Sequence, residues 1–298
     1  MYDIIIIGGG PAGVSAAVYA RSRGKKVLML ERNRIGGMIG TVSTVTHYTA
    51  LTANETGDSF AGRMSDQLTA TGTEIRYEAV TNVHLTGDVK KVETATATYE
   101  AERLIIAAGT TPRKLGIPGE AMLAGKGMGM NAARDGVRYK GKNVYVIGGA
   151  DGAVKEAIYL SQFAATVHIV CVEDELACIA EFREKVAVTE NITVIPHTRL
   201  LNVQGADAVE VLTFIDVETD GIRTVADSGC GIFVYAGATP NTKMFSDLIL
   251  ENGYIPVNAR QETAIHGVYA AGDITVKQVR QVATAVADGA VAGIHASS

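Results

Sequence analysis

The chain opens with an uninterrupted apolar run, Ile4 to Ile7, that ends in glycines. With no polar face, such a run predicts a fully buried parallel strand. An Ala-rich segment with helical spacing follows from Val14 to Ser22, and a second strand from Lys26 to Leu30 ends on Glu31. Between Ser59 and Thr71, Phe60, Met64 and Leu68 recur at helical spacing and predict an amphipathic helix. Residues 73–106 then change to a period of two, with strands predicted around 74–77, 83–85, 89–92 and 96–99 and a hairpin break at Thr86-Gly87-Asp88. Leu104 to Ala107 reads as another buried strand, running into Ala108-Gly109. An Ala- and Val-rich helix is predicted from Arg280 to about Ala292.

The segment from Lys142 to Val170 repeats the opening strand-helix-strand unit without a gap. Gly8 matches Gly148, Ala17 matches Ala157, Tyr19 matches Tyr159 and Val27 matches Val167. The fold class predicted is α/β, with two Rossmann-like dinucleotide-binding domains (three-layer ββα), the second inserted in the first. Residues 1–112 and 240–298 form the outer domain in this reading, and 113–239 the inserted one.

Each residue of the first turn has a physical task. Gly8, Gly10 and Gly13 fit G-x-G-x-x-G around Gly9, Pro11 and Ala12. Gly8 makes the tight turn, Gly10 lets a pyrophosphate approach the backbone, and Gly13 lets helix and strand pack closely. The helix N-terminus offers free N–H groups and a positive dipole end to that pyrophosphate. Glu31 stands where a carboxylate accepts hydrogen bonds from an adenosine ribose. Up to this point FAD and NAD fit equally well. Gly36-Gly37 is either a backbone passing close to a ligand or a plain turn.

Composition narrows the class. The 298 residues suffice for two domains, and 33 glycines with 47% hydrophobic residues fit a turn-rich α/β protein. A net charge of −5 argues against a nucleic-acid surface. No stretch reaches the ~18 apolar residues of a membrane span, and the first residues already read as a core strand, so no signal peptide or membrane association is expected. Three cysteines, Cys171, Cys178 and Cys230, are too few for a disulfide framework, and a cytoplasmic location is the expectation. The histidines and cysteines show no metal-ligand spacing, so no metal is expected.

Taken in order, Gly8-x-Gly10-x-x-Gly13, Gly36-Gly37, Ala107-Ala108-Gly109, Gly148-Gly149, Val234-Tyr235-Ala236-Gly237-x-x-Pro240-Asn241-Thr242, Ala271-Gly272-Asp273 and Arg280-Gln281 resemble low-molecular-weight bacterial thioredoxin reductase over essentially the whole chain. The resemblance implies a homodimer with an FAD domain split in sequence and a central pyridine-nucleotide domain. It implies an FAD site built from Gly8, Gly10, Pro11, Ala12, Gly13, Glu31, Arg32, Gly36, Gly37, Met38, Ala108, Gly109, Gly272, Asp273, Arg280, Gln281 and Val282.

Three departures from the family pattern shape the functional expectation. Where the family carries Cys-x-x-Cys-Asp-Gly, this chain reads Asn131-Ala132-Ala133-Arg134-Asp135-Gly136. An amide and a guanidinium cannot perform thiol–disulfide exchange. The inserted domain's fingerprint is Gly148-x-Ala150-x-x-Ala153, and the methyl of Ala150 would crowd a pyrophosphate. The family's arginines for the NADPH 2′-phosphate align with Cys171, Val172, Glu173 and Ala177, which include no cation. Counting along the repeat, Cys171 falls where Glu31 stands, and Glu173 is two residues further on.

The function expected is therefore an FAD oxidoreductase of the thioredoxin reductase type without NADPH or dithiol chemistry. It would pass electrons from a protein donor, ferredoxin or flavodoxin, to an unidentified acceptor. An NADH-dependent flavin reductase or oxidase using Glu173, and a non-catalytic flavin-binding redox sensor, are the alternatives. Catalytic candidates are Asn131, Arg134 and Tyr48, the last where the family runs beside the flavin ring. His47 is either a proton donor or structural, and Asp135 is expected in a turn or capping role.

Overall fold

The structure is a computed structural model that describes residues 1–298. The chain divides into two compact units, Met1–Thr111 with Thr239–Ser298, and Pro112–Ala238.

The first unit begins with β1 (Tyr2–Ile7), α1 (Pro11–Arg21), β2 (Val27–Leu30), α2 (Gly57–Ala70) and β3 (Glu74–Arg76). The strands β4 (Val80–His84), β5 (Lys90–Thr94), β6 (Thr98–Ile106) and β7 (Thr110–Pro112) follow. Ile4 to Ile7 are all buried, as a central parallel strand requires, and pair with β2 on one side and β6 on the other. Of the period-two segments, the one at 74–77 forms β3, parallel to β2, while the later ones form an antiparallel meander, β4 on β5 on β6, and the break at 86–88 is the hairpin between β4 and β5. One strand is longer than its pattern predicts. Residues 96–99 and the run from Leu104 to Ala107 read as separate strands, whereas β6 runs unbroken from Thr98 through Ala101-Glu102-Arg103 to Ile106. Its first half pairs antiparallel with β5 and its second half parallel with the later β16, so a single strand joins meander and Rossmann sheet.

The second unit holds α3 (Ala132–Asp135), β8 (Asn143–Ile147), α4 (Asp151–Leu160), β9 (Thr166–Val170), α5 (Ala180–Val188), β10 (Ile192–Ile195), β11 (Thr198–Gln204), β12 (Val211–Asp216), β13 (Ile222–Ala226) and β14 (Gly231–Val234). A four-stranded parallel sheet runs in the order β10-β9-β8-β14, and β11, β12 and β13 form an antiparallel sheet. The repeated strand-helix-strand pattern thus folds twice into the same βαβ unit.

The chain re-enters the first unit on β15 (Ala238–Pro240), adds β16 (Val268–Ala270) to its sheet and ends in α6 (Val282–His295). The helix begins two residues later than the sequence pattern predicts, because Arg280 and Gln281 precede its first turn. α6 lies directly on α1, where Cβ atoms added at Gly289 and Gly293 would sit 2.0 Å from Ala12 O and 2.5 Å from Ala16 O. Only small residues allow that approach. No helix is long and apolar enough to cross a membrane.

Candidate functional site

The glycine turn between β1 and α1 has the geometry its residue types demand. Gly8 has φ +104°, and a Cβ at Gly13 would lie 1.9 Å from Gly8 O, so a side chain there would part helix from strand. At Gly10 the direction of a Cβ is open, with no protein atom within 4 Å. Pro11 takes the first helical position, where a missing N–H costs nothing. The amides of the first turn lie at the positive dipole end of α1, next to this open direction.

Around this turn the chain gathers several predicted residues. Glu31 is 8% exposed, with Oε2 accepting from the Gly9 N–H at 2.7 Å and Oε1 from the Asn33 N–H at 2.8 Å. Each carboxylate oxygen keeps acceptor capacity beyond that one bond. Gly36 donates its N–H to Gly9 O at 2.8 Å, and a Cβ at Gly37 would touch the Gly10 Cα at 3.2 Å. Gly272 abuts Ala12. The neighbouring Asp273 keeps its Oδ1 buried without a hydrogen-bond partner, and burial pushes its carboxyl above the usual range, opposed by Lys277 and Arg280.

Of the other predicted residues, Ala108 adjoins Gly8 and Arg280 adjoins Asp273, and the rest have other surroundings. Arg32 and Met38 are exposed. The Ala108 and Gly109 carbonyls accept from Asn241, from its side-chain Nδ2 at 2.7 Å and its backbone N–H at 3.0 Å. The Arg280 guanidinium stacks on Tyr254, 4.2 Å from the ring centroid. Gln281 caps α6, its N–H donating to Thr284 Oγ1 at 3.1 Å, and Val282 starts the helix. Tyr48 packs edge-on to Phe60 with ring centroids 5.5 Å apart, while His47 is exposed.

Sequence reading missed two residues here. Asp288, on α6, accepts from the Gly272 N–H at 3.0 Å and pairs with Lys277. An acid amid the Ala- and Val-rich run of that helix was the available signal.

The second unit repeats the turn in altered form. A Cβ at Gly148 would meet Tyr235 O at 2.5 Å, as one at Gly8 would meet Ala107 O at 2.3 Å. Ala150 takes Gly10's place with the same extended backbone, φ −86° and ψ 173° against −74° and −176°. Its methyl stands where Gly10 leaves open space. Glu173 returns to this turn, with Oε2 3.5 Å from the Cβ position of Gly149. The matching distance from Glu31 Oε2 to the Cβ position of Gly9 is 3.3 Å.

Asn131 and Arg134 are tied to their own helix. Asn131 caps α3, its Oδ1 accepting from the Arg134 N–H at 2.9 Å. The Arg134 guanidinium forks onto Asp135, which is buried and also accepts from the Asn131 N–H at 2.9 Å. The Arg134 bonds hold the Asp135 carboxyl below the usual range. All three thiols are buried and free; burial raises each, Cys230 to about 12.

Two Rossmann-like folds, one inserted in the other, define an oxidoreductase of the two-dinucleotide-fold class. A family model, pyridine nucleotide-disulphide oxidoreductase, matches residues 2–289. Thioredoxin reductase of Peptoclostridium litorale is 37% identical over 302 residues, covering 99% of this chain and 96% of the relative. The solved thioredoxin reductase of Lactococcus lactis superposes with a TM-score of 0.95 at 33% identity, covering 99% of this chain and 98% of the other. A ferredoxin-flavin thioredoxin reductase of Clostridium acetobutylicum superposes with a TM-score of 0.54 at 28% identity, covering 99% and 96%. The chain belongs to the pyridine nucleotide-disulphide oxidoreductase family and, within it, to the thioredoxin reductase-like proteins.

Proposed function

We propose that this chain is an FAD-containing oxidoreductase that moves electrons between a protein donor and an acceptor without NADPH and without a dithiol. The observation that carries the FAD assignment is Asp273. A buried carboxylate oxygen with no partner is costly unless a ligand donates to it, and a polyhydroxylated chain such as the ribityl of FAD is a donor of the right kind. The open space at Gly10 and the α1 amides fit the pyrophosphate, and Glu31 fits the adenosine ribose. Gly8, Pro11, Ala12, Gly13, Arg32, Gly36, Gly37, Met38, Ala108, Gly109, Gly272, Arg280, Gln281 and Val282 complete the proposed set. When bound, FAD supplies a carrier able to exchange one or two electrons. The chain's own contribution is to seat and orient it.

The absence of thiol chemistry is supported by the roles of the residues at those positions. Asn131 is a helix cap and Arg134 a partner of Asp135, and the three thiols are buried and held protonated. Residues 113–239 are, in this reading, a pyridine-nucleotide domain that has lost its ordinary ligand. The methyl of Ala150 and the missing cations at 171–177 support that reading. Electron supply then falls to a ferredoxin or flavodoxin, in keeping with the name of the Clostridium acetobutylicum relative. A homodimer is part of the proposal.

One observation favours a second reading. Glu173 lies beside Gly149 much as Glu31 lies beside Gly9, which fits the ribose diol of NADH and an NADH-dependent flavin reductase. Anaerobic mixing with reduced ferredoxin, reduced flavodoxin, NADH or NADPH, following flavin bleaching, separates the readings. Bleaching by a protein donor alone is expected. Bleaching by NADH selects the second reading, bleaching by none selects a redox sensor, and fast bleaching by NADPH overturns the proposal.

A further inference from the structure

Three chain segments of the second unit converge at one edge of its sheets. The loop after β9 carries Asp174, the residue before β11 is His197, and the turn between β12 and β13 carries Glu218. His197 Nδ1 lies 3.3 Å from Asp174 Oδ1 and 3.2 Å from Glu218 Oε1, and the three atoms all lie within 4.8 Å of one another.

The backbone holds these segments together independently of the side chains. The Val217 N–H donates to His197 O at 2.7 Å, placing the turn that bears Glu218 against the histidine. The Thr198 N–H donates to Cys171 O at 2.8 Å, fixing the start of the loop that bears Asp174. Asp216 accepts from the Glu218 and Thr219 N–H groups and shapes the turn. The imidazole is the least exposed of the three side chains, at 27%, and both carboxylates reach it from the solvent side, at 83% and 62%.

We propose that Asp174, His197 and Glu218 form a binding site for a divalent cation of the Zn²⁺ class. The donor set, one imidazole and two carboxylates, suits that class. Ligand atoms ~2.0–2.1 Å from a tetrahedral Zn²⁺ stand ~3.3–3.4 Å apart, which matches the two separations from His197 Nδ1. The third pair needs only rotation of an exposed carboxylate. With a neutral imidazole the two carboxylates leave a charge of −2, which one divalent ion cancels. Three protein ligands leave the fourth position to water. The ion would pin the β9 loop at the residue after Glu173, so the site belongs to that loop.

The test is isothermal titration of the full-length, FAD-loaded, untagged protein with ZnCl₂, alongside His197→Ala and Glu218→Gln. Far-UV circular dichroism and flavin content are checked for each variant. The wild type is expected to take up one Zn²⁺ per chain, with affinity falling ~10-fold or more in each folded variant. If His197→Ala fails to fold, the exposed Glu218→Gln and Asp174→Asn carry the test. No saturable uptake by the wild type, or equal uptake by the folded variants, overturns the proposal. In that event the cluster is an imidazole hydrogen-bonded to surface carboxylates.

Discussion

Arg134 and Asp135, adjacent in sequence, form a bidentate ion pair, with Nε to Oδ1 at 3.0 Å and Nη2 to Oδ2 at 2.7 Å. The carboxylate is 5% exposed and the guanidinium 72%, so the pair is an exposed cation holding a buried anion in place. Its charges cancel. The midpoint potential of the flavin should therefore be the same in Arg134→Ala as in the wild type. A fall of ~30 mV in a two-electron couple, about 1.4 kcal/mol, would show the guanidinium acting on the ring.

The same pair predicts an asymmetry in stability. Arg134→Ala removes a screened cation, while Asp135 keeps the Asn131 N–H and the nearby Arg138, so the cost is about 1 kcal/mol or less. Asp135→Ala strands a backbone N–H and two guanidinium partners, and costs about 2–3 kcal/mol. Urea unfolding followed by circular dichroism ranks the two.

The glycine turn offers a paired experiment. Gly10→Val places its Cβ where no protein atom lies within 4 Å, so the fold should survive while FAD content drops ~10-fold or more. Gly13→Ala drives a methyl to 1.9 Å from Gly8 O and should lower the thermal midpoint whether or not FAD is present. A Gly10→Val protein that retains full flavin would remove the pyrophosphate from this turn.

Thiol accessibility can be counted. Cys171, Cys178 and Cys230 are 2%, 7% and 1% exposed, and burial raises all three. An aromatic disulfide reagent should titrate no rapid thiol in the native protein and three after unfolding. A fast-reacting native thiol would reopen a thiol relay.

Acid stability should depend on Glu55. Hydrogen bonds from Ser59 and Thr52, with Arg63 adding a further one, hold its carboxyl down at about 2. A carboxyl depressed in the folded state contributes stability above its unfolded value, and loses it as pH falls toward the folded one. The thermal midpoint should decline between about pH 4.5 and 2, and Glu55→Gln should flatten that decline. Equal slopes in the two proteins would assign the acid sensitivity elsewhere.

The parts of this molecule most legible in its sequence are those where one residue type answers one geometric demand. Ile4 to Ile7 could only be buried on both faces, and Gly13 stands where no Cβ fits. Residues whose role depends on distant partners left little trace. Glu55 left little trace for another reason: its partners Thr52, Ser59 and Arg63 are close in sequence, but no periodicity marks the turn into α2 that sets them around a buried carboxylate. The polar Glu102-Arg103 hid the continuity of β6, because that strand changes from antiparallel to parallel pairing partway along. Glu173 was visible as a candidate, but its return to Gly149 depends on the course of the loop after β9.

The close seat of α6 on α1 has a consequence for synthesis on the ribosome. The strand β16 and the helix that covers α1 lie in the last 31 residues, after the whole inserted unit. At ~5–20 residues per second, the first βαβ segment waits many seconds for them. The inserted unit, contiguous in sequence, can bury its own core in that interval. Vectorial folding therefore runs from the inside of the gene outward, and the glycine turn that opens the chain is among the last places to become rigid. A stop codon a few dozen residues early would leave the second unit folded and the first without its lid.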